Sequence, residues 1–289
     1  MRLRRTTIKQ IERKGGNVQL QNYKTIIESE LQGNLMLAWG PPGVGKSATI
    51  LQTAEDPIVY ITAEKRKIGT TVAAINRQDM KMKVGVYETF DDCIETFNNY
   101  DLFSGCKTTV LDSLTHLMVS QLSYEIMQEN FDSHSEKEKQ EIIKQLTVQV
   151  KMSKEGFGAL ADNMVRLMNA LQNLTMRGID VICTARSEER PKYNRELGIG
   201  PALAGQKFGN VMPGYFDFIA YLEAPEHTDE PIPSPDSPME VLWKYHAPLA
   251  SFDNNDGYLA KWTGVYPAKG IVRRKFNVRK VFAEANGLA

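Results

Sequence analysis

The chain has 289 residues, enough for one substantial α/β core with an appendage, and its 35 basic and 35 acidic residues leave no net formal charge. That balance removes bulk electrostatic attraction as a reason to expect nucleic-acid binding and leaves only local basic patches for it. The three cysteines, Cys93, Cys106 and Cys183, have no metal-ligand spacing, and no apolar run is long enough to cross a bilayer. A soluble cytoplasmic protein with reduced thiols is therefore expected, without membrane contact.

Residues 1–14 carry Arg2, Arg4, Arg5, Lys9, Arg13 and Lys14 against Glu12, before a break at Gly15-Gly16-Asn17. Such a terminal run reads as a solvated arm in preference to a nucleic-acid contact, and residues 1–32 are taken as arm and lead-in. The apolar run Asn34 to Trp39 has strand length and leads directly into Gly40-Pro41-Pro42-Gly43-Val44-Gly45-Lys46-Ser47. This octet meets the P-loop pattern G-x-x-x-x-G-K-[ST] at every fixed position. Glycines let a loop close around phosphate oxygens, and successive N–H groups then point inward as an anion nest. Lys46 supplies a point charge for terminal phosphates, the Ser47 hydroxyl suits Mg²⁺, and Ala48 continues a helix whose positive end faces the anion.

Pro57 to Thr62 is a second β-rich run, ending at Ala63-Glu64-Lys65, and Met82 to Tyr87 reads as a third. Thr89 with Asp92 three residues on forms a helix cap. Lys107 to Asp112 makes a fourth strand, so strands alternate with helices and predict a parallel sheet that binds ligands at the strands' C-terminal ends. An acid closing an apolar strand downstream of a P-loop has the Walker B role of holding Mg²⁺, which assigns Asp112 to the metal together with Ser47. Ser113 follows it, so the acid that activates water must come from elsewhere; Glu64, two residues past the second strand, is the candidate and Glu88 its competitor.

Residues 114–156 are mostly polar with mixed charge and read as an exposed helical excursion. From Leu160 the positions Leu160, Met164, Leu167, Met168, Leu171 and Leu174 share one helical face and are expected to pack on the sheet. Gly178 to Thr184 is a fifth strand, delivering Thr184, Ala185 and Arg186 to the nucleotide edge, where a polar side chain is placed to sense the terminal phosphate. Ser187 to Lys207 reads as a long loop with Arg190, Lys192, Tyr193, Arg195 and Lys207, a content that suits a nucleic-acid backbone with a stacking base. Phe216 to Leu222 is a sixth strand; a proline-rich connection follows, and then short strands at Val241 to Tyr245, Tyr258 to Trp262 and Ile271 to Val272.

Taken together, GPPGVGKS, YITAE, VLDS and VICTAR in this order resemble the RecA superfamily, and particularly the phage RecA-like ATPases grouped with Sak-type single-strand annealing proteins. The resemblance covers roughly residues 33–224. It implies a RecA-like P-loop NTPase core with a mostly parallel sheet, followed over residues 225–289 by a proline-rich connection and a β-rich extension. It further implies ATP with Mg²⁺ as cofactors, ATP hydrolysis stimulated by DNA, a homo-oligomeric ring or filament, and single-stranded DNA as partner, with a single-strand binding protein as a further candidate partner. If phage-encoded, the protein would act in the host cytoplasm. Carried over residue by residue, Glu64 and Lys46 are catalytic, residues 40–48 cradle the nucleotide, and Arg186, Arg190, Lys192, Arg195 and Lys207 meet DNA. The family's coupling glutamine has no counterpart at Thr184, Ala185 or Arg186, and Lys269, Arg273 and Arg274 are the basic residues placed to reach a neighbour's nucleotide. Two other readings remain open: an ATP-driven remodeller or helicase loader, and a slow nucleotide switch.

Overall fold

The computed structural model describes residues 33–62, 68–144, 152–189, 199–224, 247–252, 259–263 and 274–286, apart from 74, 76, 78 and 205. Strand β1 (Leu35–Gly40) is buried at every position. Leu35, Leu37 and Trp39 enter the apolar cluster on one face of the sheet, while Met36 and Ala38 enter the cluster on the other. A run without polar alternation can only be a central strand covered on both sides, and β1 is that strand.

It is flanked in parallel by β5 (Asp180–Glu189) and β7 (Phe218–Glu223). Beyond β5 come β4 (Thr108–Asp112), β2 (Ile58–Thr62) and β3 (Met82–Val86), all parallel. Beyond β7 come the antiparallel short strands β8 (Leu249–Ser251) and β10 (Arg274–Lys275), so the order across the sheet is β10-β8-β7-β1-β5-β4-β2-β3. Two further short strands attach to this path, β6 (Ile199–Pro201) to the end of β5 and β9 (Lys261–Trp262) to β7. The chain leaves β1 toward β2 and later returns to fill the gap with β4 and β5. A crevice therefore opens above the C-terminal end of β1, where open α/β sheets bind ligands.

Helices cover both faces. Helix α1 (Lys46–Thr53), α2 (Ile68–Ala73) and a C-terminal helix α8 (Val278–Ala285) contribute Ile50, Leu51, Val72, Val281 and Phe282 to one cluster. Helix α3 (Phe90–Asn98), begun by the predicted Thr89–Asp92 capping box, lies on the other face with α6 (Lys154–Thr175). All six residues of the predicted apolar stripe on α6 are buried. The helix begins earlier than that stripe because the Ser153 hydroxyl accepts the Gly156 N–H at 3.0 Å and caps it.

Three local expectations differ. The start of the 114–156 excursion is core: a π-helical segment (His116–Leu122) and α4 (Ser123–Asp132) bury Leu117, Met118, Leu122 and Ile126, and exposure begins in earnest only toward α5 (Glu136–Lys144). Polar residues dominated that window's composition while every third or fourth position stayed apolar. The loop expected over Ser187 to Lys207 begins as strand: β5 runs on to Glu189 and pairs Ser187, Glu188 and Glu189 with the returning β6, and Gln206–Val211 is helix α7. Finally, the C-terminal part ends in α8, whose Val278 N–H donates to Thr53 Oγ1 of α1 at 3.1 Å. Of the short strands expected there, 241–245 and 271–272 lie outside the described residues, and of Tyr258 to Trp262 only Lys261–Trp262 is strand, as β9, with Tyr258 outside the described residues.

Phe276, which leads into α8, is 0% exposed within the cluster under α1. Phe276→Ala should therefore cost about 3–5 kcal/mol of unfolding free energy, read from urea denaturation. A cost below about 0.5 kcal/mol, the range of surface changes, would mean that the C-terminal segment adds little to the core.

Candidate nucleotide site

The loop joining β1 to α1 holds Gly43 at φ +80° and Gly45 at φ +90°, left-handed conformations that side chains rarely adopt. A Cβ at Gly43 would meet nothing within 4 Å, so the backbone angle alone demands glycine there. Gly40 has a different reason. A Cβ on it would lie 2.1 Å from the Leu222 carbonyl oxygen of β7, so strand packing by itself already requires glycine there. Helix α1 then starts at Gly45 with no side-chain cap and no acid in its first turn. Its opening N–H groups and the positive end of its dipole are presented toward the loop's concavity, the arrangement that binds phosphate.

Pro42 and Gly43 are exposed at the loop tip, whereas Pro41, Val44 and Ala48 are half-buried. Val44 and Ala48 pack against the cluster under α1. The Lys46 ammonium donates to the Gly40 carbonyl at 2.9 Å and to the Pro41 carbonyl at 2.7 Å. The charge is thus held across the mouth of the loop, ready to exchange carbonyl oxygens for phosphate oxygens.

Asp112 ends β4 on the same face of the sheet as α1. It is 7% exposed, and three hydroxyls satisfy it. Ser47 Oγ, from the first turn of α1, donates to Oδ2 at 2.6 Å; the Tyr60 hydroxyl, from β2, donates to the same oxygen; Thr184 Oγ1, from β5, donates to Oδ1 at 2.5 Å. The expected meeting of Ser47 and Asp112 is therefore present as a direct contact. Both are hard oxygen donors, and a serine that donates its proton to the carboxylate keeps its own lone pairs for a cation, so the pair fits Mg²⁺. When bound, that ion would neutralise charge developing on the nucleotide's phosphates.

Of the three residues delivered to that edge, Thr184 is 0% exposed and is taken up by Asp112, whereas Arg186 is exposed. Tyr60 was missed altogether. Its signal was available: a tyrosine inside the continuous buried strand Ile-Val-Tyr-Ile-Thr must find a partner for its hydroxyl.

Glu64 lies outside the described residues. Thr62, two residues before it, is in register with Asp112 on β4, and Val86 pairs with Thr62 from the other side. Glu88, two residues past Val86, is exposed beyond the end of β3, the outer strand of the sheet next to β2. Arg186 is in register with Gly40, its N–H donates to Thr115 Oγ1 at 2.9 Å, and its side chain is exposed beside the P-loop. Arg190, Lys192, Arg195, Lys269 and Arg273 lie outside the described residues. Lys207 falls in α7 and Arg274 in β10.

Lys46→Ala removes a charged donor that reaches the Gly40 and Pro41 carbonyls at the mouth of the loop. Nucleotide affinity should fall by roughly 1.5–3 kcal/mol per lost charged bond, about tenfold to a hundredfold or more, in a titration with a fluorescent ATP analogue. The urea midpoint should stay close to that of the unmodified chain.

Among proteins of curated function, no sequence matches this chain. Among solved structures, the flagellar accessory protein FlaH from Methanocaldococcus jannaschii aligns over 76% of this chain and 77% of its own, at 11% identity and a TM-score of 0.37, too loose a likeness to bear on function. No described helix is long and apolar enough to cross a membrane. The family model described as "AAA domain" matches residues 32–263, spanning the P-loop, Asp112 and the whole parallel sheet. With this strand order and this site, the chain belongs to that AAA domain family and has the mostly parallel α/β core of a P-loop ATPase.

Proposed function

We propose that the protein binds and hydrolyses ATP with Mg²⁺ and uses that cycle to bind single-stranded DNA as an oligomer, in recombination or annealing of the phage type. The observation that carries this reading is the path of β5. One strand holds Thr184 on Asp112, places Arg186 beside Gly40, and continues past the nucleotide edge to Glu189 before β6 returns. The connection between β5 and β6 contains Arg190, Lys192, Tyr193 and Arg195, cations for phosphates and a ring on which a base can stack. A change at Asp112 on nucleotide binding would reach this segment through a single rigid element. Glu64 is assigned as the residue that activates the attacking water, Lys46 and Ser47 as phosphate and metal contacts, and Arg186 and Lys207 as flanking DNA contacts.

A remodeller acting on protein partners is the second reading, favoured by the family's description as an AAA domain. Against it, Asp112 is followed by Ser113 where that class expects a second acid, and the described C-terminal strands join the central sheet instead of building a helical lid.

ATP turnover measured with and without single-stranded DNA, with particle size followed in the same samples, separates the two. Stimulation with assembly is expected, and indifference to DNA would favour the remodeller. Replacing Lys192 and Arg195 together by Ala should lower the dependence of log affinity on log salt by about 1.4, two contacts at 0.7 each for a single strand. Glu64→Gln should slow hydrolysis by about 10²–10⁴-fold, the usual worth of a general base, while nucleotide still binds. Unchanged turnover would remove Glu64 from catalysis and favour the slow switch.

A further inference from the structure

We propose that Tyr60 and Thr184 are positioning residues for the metal: together they fix which lone pair of Asp112 is offered to the cation's shell. The inference rests on the Mg²⁺–nucleotide reading of the site. A carboxylate has about four lone-pair sites on two oxygens. At Asp112, Oδ2 accepts from Tyr60 and Ser47, and Oδ1 accepts from Thr184. With Ser47 still donating as it turns its lone pairs to the cation, one site remains, on Oδ1, for a water of the hydration shell.

The three donors are not equivalent. Ser47 belongs to the P-loop and moves with whatever the loop binds. Tyr60 and Thr184 stand on the strands that flank β4, and both are buried, at 4% and 0% exposure. They therefore hold the carboxyl plane from both sides, independently of the loop. The Tyr60 backbone is in register with Val110, and its phenol spans the remaining step along the sheet to the acid at the strand's end. Its ring lies in the cluster under α1 with Ile50, Leu51 and Val110, so neighbours lock the direction of the hydroxyl. A phenylalanine would fill that packing space equally well. Only the hydroxyl distinguishes tyrosine there, and it donates to the Asp112 carboxylate.

Hydrogen-bond partners that orient a metal-binding carboxylate are worth about 10–100-fold in metal affinity. Tyr60→Phe deletes one hydroxyl, keeps the ring, frees a second lone pair on Oδ2 and releases one side of the carboxyl plane. Thr184→Val does the same at Oδ1 with a side chain of nearly equal shape. The experiment is a Mg²⁺ titration of fluorescent ATP-analogue binding to the full chain, with affinity in EDTA measured alongside. Each variant should require about tenfold more Mg²⁺ for half-maximal tightening, with the EDTA affinity unchanged. A Mg²⁺ midpoint equal to that of the unmodified chain would reduce Tyr60 and Thr184 to packing and overturn the inference. Loss of binding in EDTA would also overturn it, since the residues would then act on the loop and not through the metal. Should one variant fail to fold, the other decides. An unmodified chain that binds nucleotide identically with and without Mg²⁺ would overturn the metal reading itself, a result distinguishable because it needs no variant.

Discussion

A strand with no polar side has to be covered on both faces, and the rest of this molecule follows from placing β1 at the sheet's centre. Its burial demands a parallel neighbour on each side and helices above and below. The tight approach of β7 to its last residue then excludes any side chain at Gly40. The P-loop begins directly after that residue, so the packing of the sheet and the start of the loop meet at Gly40.

The second constraint is electrostatic. A carboxylate at 7% exposure is costly unless hydrogen bonds replace its lost water. Asp112 meets that requirement with hydroxyls, which satisfy lone pairs without supplying a compensating charge. Its negative charge is therefore held in place and left uncancelled by its three donors, a fitting partner for a divalent cation that arrives with a polyanionic nucleotide. On the other side of the site the Lys46 ammonium donates to the carbonyls of Gly40 and Pro41, at the mouth of the loop.

The C-terminal segment is tied into this centre. Strands β8, β9 and β10 extend the sheet beyond β7, and α8 docks on α1 through Thr53 and a shared apolar cluster. Arg77 secures the other end of the same helix, donating to the carbonyls of Leu51 and Ala54 and pairing with Asp56 at 2.5 Å. A cation at a helix C-terminus opposes the negative end of the dipole. The P-loop helix is thus braced at its end by residues that carry no motif, which leaves its N-terminus as the part available to a ligand.

Much of the site was legible from local chemistry alone. The P-loop octet, the strand before it, the acid closing β4, the Thr89 cap and the α6 stripe each depend on spacings within a few residues, and the structure has all of them where the chain order put them. The order βαβ with an apolar central run was enough to set a parallel sheet, because parallel strands need crossovers and both faces must be covered. What the sequence left undetermined depends on residues far apart in the chain. That Gly40 answers to Leu222, that Tyr60, Ser47 and Thr184 converge on one carboxylate, that β5 outruns its apolar stretch to pair with β6, and that the last helix seats on the first are contacts between segments whose mutual placement no local pattern encodes. Only folding brings those partners within a hydrogen bond of one another, and so only the tertiary structure decided which hydroxyls hold Asp112.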